Sequence, residues 1–338
     1  MAGLQHSRMQ ARRIGPFQVS AIGLGCMNLS HAYGAPPAPE TAQRLLHRAL
    51  DLGVTLFDTA ALYGFGANET LLGKTLAPHR GRITLASKGG MAGVMFDDGM
   101  RRVIDGRPEA IRRNCDDSLR RLQTDHIDLY YLHRWDKRVP IEDSVGEMSR
   151  LRERGKIGAL GLSEVSAATL RRAHAVHPIA AMQSEYSLWS RNVEIGVLAA
   201  CRDIGAALVA FSPVARGYLT GTLRDVSGFA AKDIRRGMPR FEPANYAANL
   251  ALLPGFEALA RELGCLPAQL ALAWLLAQGE NVLPIPGTTS LAHLEENLGA
   301  LDVVLPGATL ARLDALINPV VGARYSVATQ AEIDTENF

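Results

Sequence analysis

Short apolar segments rich in β-formers alternate with longer segments of helical periodicity, and this alternation constrains the fold more than any other feature. Eight segments predict strands: GLGCM, VTLFDTA, RITLASKGG, HIDLYYLH, IGALGLSE, IAAMQSEYS, ALVAFSPV and VLPIPGTT. Helices are predicted between and after them, at 39–52, 108–122, 141–154, 166–176, 192–204, 254–263 and 290–301. Because each crossover helix returns the chain to the same end of the sheet, the strands are expected to be parallel.

Eight strand–helix units predict a (β/α)8 TIM barrel, an α/β fold that forms a single domain over residues 1–338. An N-terminal β-hairpin precedes the barrel in this prediction, and an extra helix follows it near the C-terminus. The segments 1–11 and 325–338 are predicted to be poorly ordered tails. A doubly wound sheet also fits the alternation, but GLGCMN has Asn28 where the third glycine of a dinucleotide fingerprint belongs.

Charge and cysteine content limit the function classes. The formal net charge of +2 gives no support for phosphate neutralisation, so no nucleic-acid partner is expected. The N-terminus lacks the apolar core of a signal peptide, and no apolar run reaches the roughly 20 residues of a membrane span. The chain has four cysteines and no CxxC pair, which indicates a protein of the reducing cytoplasm. No metal site is predicted.

Polar residues follow the apolar runs at the predicted strand ends, where barrels place their functional groups. Asp58, Lys88 and His133 end three successive strands and are expected to converge on one mouth. The next two strands end in further polar residues: Ser163, Glu164 and Gln183. Solvent contact explains any one of these residues equally well, so the inference rests on the joint pattern.

A phenol, Tyr63, follows Asp58 after five residues, and it completes a candidate proton-transfer set. A phenol has an ordinary pKa of about 10, which a neighbouring ammonium lowers. Lys88 would supply that charge, Asp58 would hold Lys88, and His133 would orient or share the proton. Such a set can protonate a carbonyl oxygen. Because no side chain delivers a hydride to the carbon, the pattern implies a nicotinamide cofactor.

The chain resembles the aldo-keto reductases, NAD(P)H-dependent (β/α)8 barrels, from about residue 14 to about residue 316. The resemblance rests on seven ordered motifs: GLGCM, FDTAALYG, ASKGG, DLYYLHRWD, GKIGALGLSE, FSPVARGYLTG and PIPGTTSLAHLEEN. SKGG, LHRWD and IPGTTS are similar to the bacterial and plant branch, which is related to potassium-channel β-subunits. The resemblance implies a small carbonyl or alcohol substrate and a monomer or small homo-oligomer.

The resemblance also assigns site residues. Asp58, Tyr63, Lys88 and His133 match the catalytic tetrad, with Tyr63 as general acid in reduction and general base in alcohol oxidation. The positions that match cofactor contacts are Met27, Asp58, Ser163, Gln183, Phe211, Ser212, Pro213, Gly217, Leu219, Pro286, Gly287, Thr288, Thr289, His293, Glu296 and Asn297. Leu62 and Trp135 are expected to line the substrate pocket.

Within that set, Ser163 and Gln183 match the residues that hold the nicotinamide carboxamide, and Phe211 matches the ring that stacks on the nicotinamide. Glu164 stands where the family often has Asn. The adenosine end lacks the Arg or Lys that many NADPH-preferring members carry, and offers hydroxyls and His293 instead. NADPH is the expected cofactor, with NADH as the alternative.

The long segment 221–249 is typical of a lid or binding loop, and its basic RRGMPRF stretch fits a cofactor phosphate or a solvated loop equally well. Four activities remain open: a carbonyl reductase, which is favoured; a secondary-alcohol or sugar dehydrogenase running in the oxidative direction; a Schiff-base lyase using Lys88; and a cofactor-sensing regulatory subunit with little turnover. The protonated state of an ammonium beside Asp58 argues against the lyase.

Overall fold

The computed structural model describes residues 11–316 and 319–337. The strands are β1 (Ala11–Ile14), β2 (Phe17–Ser20), β3 (Leu24–Gly25), β4 (Leu56–Asp58), β5 (Thr84–Gly89), β6 (Met91–Phe96), β7 (Gly99–Ile104), β8 (Ile127–Leu132), β9 (Ile157–Ser163), β10 (Ile179–Glu185), β11 (Ala207–Phe211) and β12 (Val282–Pro284).

Eight of these strands form one parallel sheet in the order β12-β11-β10-β9-β8-β5-β4-β3. The two ends of the sheet meet, because Gly23 N donates to Pro284 O at 3.0 Å and Gly25 N donates to Pro286 O at 3.2 Å. The predicted (β/α)8 TIM barrel is therefore confirmed, and every barrel strand directs its carboxyl end to the same mouth.

The helices are α1 (Pro39–Asp51), α2 (Ala67–Leu76), α3 (Pro108–Leu122), α4 (Ile141–Glu153), α5 (Ala167–Val176), α6 (Val197–Ile204), α7 (Pro243–Leu250), α8 (Leu253–Glu262), α9 (Pro267–Ala277), α10 (Leu291–Leu298), α11 (Gly307–Leu316) and α12 (Val327–Ala331). Local sequence sets several of their starts. A proline opens α3 at a position where no amide hydrogen is needed, and Ser166 caps α5 by accepting from Thr169 N at 3.2 Å.

The predicted N-terminal hairpin is present as the antiparallel pair β1–β2, and it covers the end of the barrel opposite the mouth. Ile14 and Val19 from the hairpin pack into the apolar cluster inside the barrel, which also contains Leu56, Leu129 and Tyr131. A separate and larger cluster lies between the strands and the outer helices. The hairpin is also fixed by its own Arg12, which donates to the carbonyls of Leu276 and Gly279 at 2.7 Å.

Two elements of the fold are not predicted by sequence periodicity. The hairpin β6–β7 follows β5 directly and places the apolar residues Val94, Met95 and Phe96 in solvent, so no buried face marks it. The dipeptide Asp98-Gly99 between two β-rich runs was the available signal. Helix α2 has almost no amphipathic periodicity, because Asn68 and Glu69 are buried along with its apolar residues.

The C-terminal prediction needs correction where the structure describes it. Residues 325–337 do not leave the barrel as a loose tail: they contain α12, and Asp334 pairs with Val165 in an isolated parallel bridge. At the other end, Ala11 belongs to β1, and residues 1–10 lie outside the described part of the chain. The extra C-terminal helix is present as α11, and α12 follows it.

The described residues contain no group of three or more His, Cys, Asp and Glu side chains that could hold a metal ion. Within the same ranges no single helix is long and apolar enough to cross a membrane, although the segments Pro243–Glu262 and Pro267–Ala277, bent by 85°, pass that test as a pair.

Candidate active site

The sharp turn after β4 explains why a phenol and two glycines follow Asp58. Tyr63 opens a short 3-10 turn in which Gly64, Phe65 and Gly66 all have left-handed backbone, with φ of 56°, 52° and 95°. Glycine adopts this conformation without steric cost, and the turn reverses the chain within a few residues. The reversal brings the Tyr63 side chain back over the end of the strand that carries Asp58.

The four predicted tetrad residues meet at the mouth. Lys88 Nζ forms a buried salt bridge with Asp58 Oδ1, donates to Thr59 O at 2.8 Å and lies 3.3 Å from the Tyr63 hydroxyl. The Tyr63 and His133 rings lie edge to face with centroids 5.8 Å apart. The expected convergence of three strand ends is therefore what the fold produces.

The pKa of Tyr63 moves in the opposite direction from the sequence-based expectation. Burial raises the pKa of the phenol, and Asp58 adds to the rise, so that the opposing effect of Lys88 does not prevail. For Lys88, burial lowers the pKa, but Asp58 and Tyr63 outweigh burial and the net pKa is raised. At neutral pH the site therefore holds a protonated phenol beside a protonated amine.

His133 is a neutral imidazole in this site. Burial lowers its pKa well below the usual value, and the charges of Arg134, Lys88 and Arg102 act in the same direction. Its Nδ1 is buried without a hydrogen-bond partner among the described residues. A neutral ring facing Tyr63 can donate or accept one hydrogen bond to a ligand oxygen, according to its tautomer.

A cavity of about 840 Å³ opens above the tetrad and runs across the mouth. Most of the predicted site residues line it: Met27, Asp58, Leu62, Tyr63, His133, Ser163, Gln183, Phe211, Ser212, Pro213, Gly217, Gly287, Thr288, Thr289 and His293. Lys88 lies directly behind this wall, fully buried. The volume falls toward the upper end of the roughly 300–1,000 Å³ of small-molecule sites.

Besides Lys88, five predicted positions do not line the cavity. Leu219 is fully buried in the large core cluster, and Asn297 is buried within α10. Pro286 contributes its carbonyl to barrel closure, and the carbonyl of Glu296 accepts from Gln269 Nε2 at 3.0 Å. These observations give no support to cofactor contacts by the four side chains.

Trp135, the fifth, is predicted to wall the substrate pocket, but it is not among the residues that line the cavity. Its indole Nε1 donates to Val139 O at 2.9 Å, and the Arg172 guanidinium of α5 lies 5.9 Å from its ring centroid. These contacts join the Trp135 side chain to the loop before α4 and to α5.

Sequence reasoning missed several cavity residues, which are His31, Tyr33, Arg102, Arg134, Arg216, Tyr325, Ser326 and Thr329. Arg134 could have been found, since it follows His133 directly at a strand end. Arg102 lies in the unpredicted hairpin, and Tyr325 to Thr329 lie in the segment expected to be loose. Arg235 and Met238 of the RRGMPRF stretch also line the cavity, which favours a binding loop over a solvated one.

Glu164, which stands where the family often has Asn, has a structural partner. Its backbone is left-handed, with φ of 55°, and its carboxylate forms a buried salt bridge with both Nη atoms of Arg324. Next to it, Glu185 pairs with Arg216 at 2.9 Å, and the Tyr325 hydroxyl accepts from Arg216 at 3.1 Å. This buried ionic cluster fastens the C-terminal segment across the mouth.

The residues present fit a dinucleotide. Gly217 has φ of 99°, which favours glycine, and a Cβ there would lie 3.5 Å from Arg235 Nη1, within a cradle lined by Ser212 and Pro213. A Cβ on Gly287 would lie 2.9 Å from Gly25 O, so backbone is exposed where a side chain has no room. Guanidinium groups, hydroxyls and bare backbone are the groups that bind phosphates.

This constellation at the mouth of a parallel barrel defines an oxidoreductase site, and the chain belongs to the aldo/keto reductase family, whose model matches residues 21–318. Enzymes of this family are oxidoreductases that act on small molecules with a nicotinamide cofactor. The predicted family, the general enzyme class and the cofactor class are therefore confirmed.

Three relatives illustrate the similarity. A probable aldo-keto reductase from Glycine max is 44% identical over 312 residues, which cover 91% of this chain and 89% of the relative. Glycerol dehydrogenase from Gluconobacter oxydans has a TM-score of 0.85 and 30% identity, over 95% of this chain and 99% of that one. An aldo/keto reductase from Klebsiella pneumoniae in complex with NADP and acetate has a TM-score of 0.70 and 31% identity, over 94% and 98%.

Proposed function

We propose that this protein is a carbonyl reductase that reduces small aldehydes or ketones with NADPH, and that Tyr63 protonates the carbonyl oxygen. The observation that carries the proposal is the position of the Tyr63 hydroxyl, 3.3 Å from Lys88 Nζ at the cavity wall. A bound nicotinamide would supply the hydride. The NADP in the Klebsiella pneumoniae relative supports the choice of cofactor.

In this mechanism the chain positions and protonates the substrate. Tyr63 carries its proton at neutral pH, so it can donate as charge develops on the carbonyl oxygen. Lys88, held by Asp58, stabilises the phenolate that remains, and His133 can offer a second hydrogen bond to the same oxygen. Ser163 and Gln183 would hold the carboxamide, and Phe211 would stack on the ring.

The oxidative direction is the second candidate, because the relative from Gluconobacter oxydans is a glycerol dehydrogenase. The same residues serve both directions, since the donor of a proton in reduction accepts it in oxidation. A Schiff-base lyase has no support: Lys88 is fully buried, its pKa is raised, and Asp58, Thr59 and Tyr63 take its three hydrogens.

Nicotinamide absorbance, followed with NADPH and NADH against a panel of aldehydes, ketones, sugars and secondary alcohols, tests both directions and the cofactor preference. Reduction of several carbonyls with NADPH supports the proposal. Tight NADPH binding without turnover of any panel member would contradict it and favour a regulatory subunit that senses the cofactor.

The substitution Tyr63→Phe is expected to lower the rate of the chemical step by roughly 10²–10⁴-fold, because it removes the proton donor while keeping the ring. Single-turnover reduction and NADPH titration check this, and the Kd for NADPH should not change. The control Tyr186→Phe removes a buried hydroxyl that bonds Glu194 outside the cavity, at 2.8 Å. A Tyr63→Phe rate within about threefold of wild type would exclude Tyr63 as the donor.

A further inference from the structure

The cavity wall carries several cations and little negative charge. Among the described residues that line it, four are arginines, Arg102, Arg134, Arg216 and Arg235, whereas the carboxylates are represented by Asp58 alone. Asp58 is balanced by the salt bridge to Lys88. The charge balance of the cavity therefore depends on whether each arginine has a partner of its own.

Three of the four arginines have one. The pairs, at 2.7–2.9 Å, are Arg102 with Glu332, Arg216 with Glu185 and Arg235 with Asp233. Arg134 has no carboxylate partner within residues 11–316 and 319–337. Its Nη1 donates to His133 O at 2.7 Å and to Ser163 Oγ at 3.2 Å, and both acceptors are neutral.

A half-buried guanidinium without a counter-ion is costly, since removal from water is not offset by a nearby negative charge. Nη1 accounts for both hydrogen bonds of the Arg134 side chain within the described ranges, so Nε and Nη2 keep their donors. A guanidinium edge of this kind matches the two oxygens of a carboxylate or phosphate.

Arg134 belongs to the reacting end of the cavity. It follows His133 in the chain, and its charge acts on the pKa values of both His133 and Tyr63. The other cluster of arginines, Arg216 and Arg235, lies beside Gly217, where the dinucleotide phosphates would bind. The anion that Arg134 can bind is therefore part of the substrate.

We propose that the substrate is a carbonyl compound bearing an anionic group, a carboxylate or a phosphate ester, and that Arg134 binds this group. The proposal rests on the proposed carbonyl reductase function and narrows its substrate class. Arg102 adds positive charge from the hairpin β6–β7, but its Nη2 is taken by Glu332 at 2.7 Å, so Arg134 is the main contact.

Matched substrates test the charge alone. The first pair is 4-carboxybenzaldehyde and its methyl ester, and the second is glyceraldehyde 3-phosphate and glyceraldehyde, so the two arms distinguish carboxylate from phosphate. We expect kcat/KM with NADPH to be about 10–100-fold higher for the charged member of at least one pair. The preference should shrink as ionic strength rises.

Arg134→Met should remove this preference by lowering kcat/KM for the charged member at least tenfold more than for the neutral one. Arg134→Lys should keep part of it, because the charge remains while the fork geometry is lost. The control Arg261→Met removes an exposed arginine at the end of α8 and should leave both values unchanged. If Arg134 merely positioned Ser163, both members would fall equally and the Kd for NADPH would rise.

A binding measurement separates failure of this proposal from failure of the reductase function. Benzoate and benzamide are titrated into the wild-type protein with bound NADPH, and the fluorescence of the nicotinamide is followed. Tighter binding of benzoate that is lost in Arg134→Met supports the anion site even if no aldehyde of the panel turns over. Equal binding of the two, or equal kcat/KM within each pair, overturns the anion site and leaves the reductase function standing.

Discussion

The phenol of Tyr63 lies at the boundary between the buried Lys88–Asp58 pair and the cavity. Its proton is retained because burial penalises the phenolate more than Lys88 stabilises it. Reduction benefits from this balance, since the acid is present in its neutral form at pH 7 and Lys88 becomes most effective as the phenolate forms. Because His133 is neutral, it adds no further positive charge beside the same phenol.

The depressed pKa of His133 makes stability depend on pH. In the unfolded chain the imidazole binds a proton below about pH 6.5, whereas in the fold it stays neutral to well below that value. The unfolded state therefore binds more protons in this window, and the free energy of unfolding falls as pH decreases below about 6.5, by up to about 1.4 kcal/mol per pH unit.

The substitution His133→Gln should remove this contribution. Urea unfolding at several pH values between about 6.5 and about 5 is expected to show a shallower loss of stability for the variant than for the wild-type protein. Parallel curves for the two proteins would mean that His133 is protonated in the fold, contrary to its burial beside Arg134 and Lys88.

At the scale of elements, the C-terminal segment 324–337 is an integral part of the mouth. Asp334 accepts from Ser166 Oγ at 2.9 Å and from Thr169 Oγ1 at 2.6 Å, so it is bound to the first turn of α5. Together with the Glu164–Arg324 pair, these contacts hold the segment at both ends. Tyr325, which lines the cavity between them, is thereby fixed in place.

Arg324→Met should lower the free energy of unfolding by about 3 kcal/mol, because Glu164 is left as a buried charge without its partner. Chemical denaturation measures the loss. The double variant with Glu164→Gln should recover at least half of it, since both charges are then absent.

The exposed pair of Arg312 and Glu262 provides the control, and Arg312→Met should cost less than about 1 kcal/mol. If Arg324→Met and Arg312→Met lowered the free energy of unfolding by similar amounts, the buried pair would contribute no more to stability than a surface pair.

At the scale of the whole molecule, barrel closure depends on glycines that allow backbone to approach backbone. A Cβ on Gly25 would lie 2.7 Å from Ile285 O, at the seam where β3 meets the end of β12. Gly25→Ala should therefore destabilise the barrel by about 2 kcal/mol, a typical cost of overpacking. Thermal or urea unfolding checks whether the substitution lowers the free energy of unfolding.

Gly146→Ala is the matched control, because Gly146 lies inside α4, where an added Cβ would meet open space and alanine favours helix. It should raise stability by about 0.5–1 kcal/mol. If Gly25→Ala left the free energy of unfolding unchanged, the seam would be able to open by the few tenths of an ångström that the methyl group requires.

Local pattern was sufficient for the barrel and the tetrad, because strand–helix alternation and polar strand ends are properties of neighbouring residues. Asp58, Lys88 and His133 could be placed together without coordinates since parallel strands share one mouth. The ionic cluster could not be predicted in this way, because Glu164 and Arg324 are 160 residues apart and no local pattern indicates their pairing. The contact of the Trp135 ring with Arg172 of α5 likewise joins residues that are distant in the sequence, so no local pattern predicts it.

The hairpin β1–β2 has a consequence for how reactants come and go. Because Ile14 and Val19 pack against the side chains that fill the barrel interior, the mouth is the end of the barrel that is open to ligands. Coenzyme and substrate would therefore enter and leave on the same side of the molecule, through the cavity at the mouth.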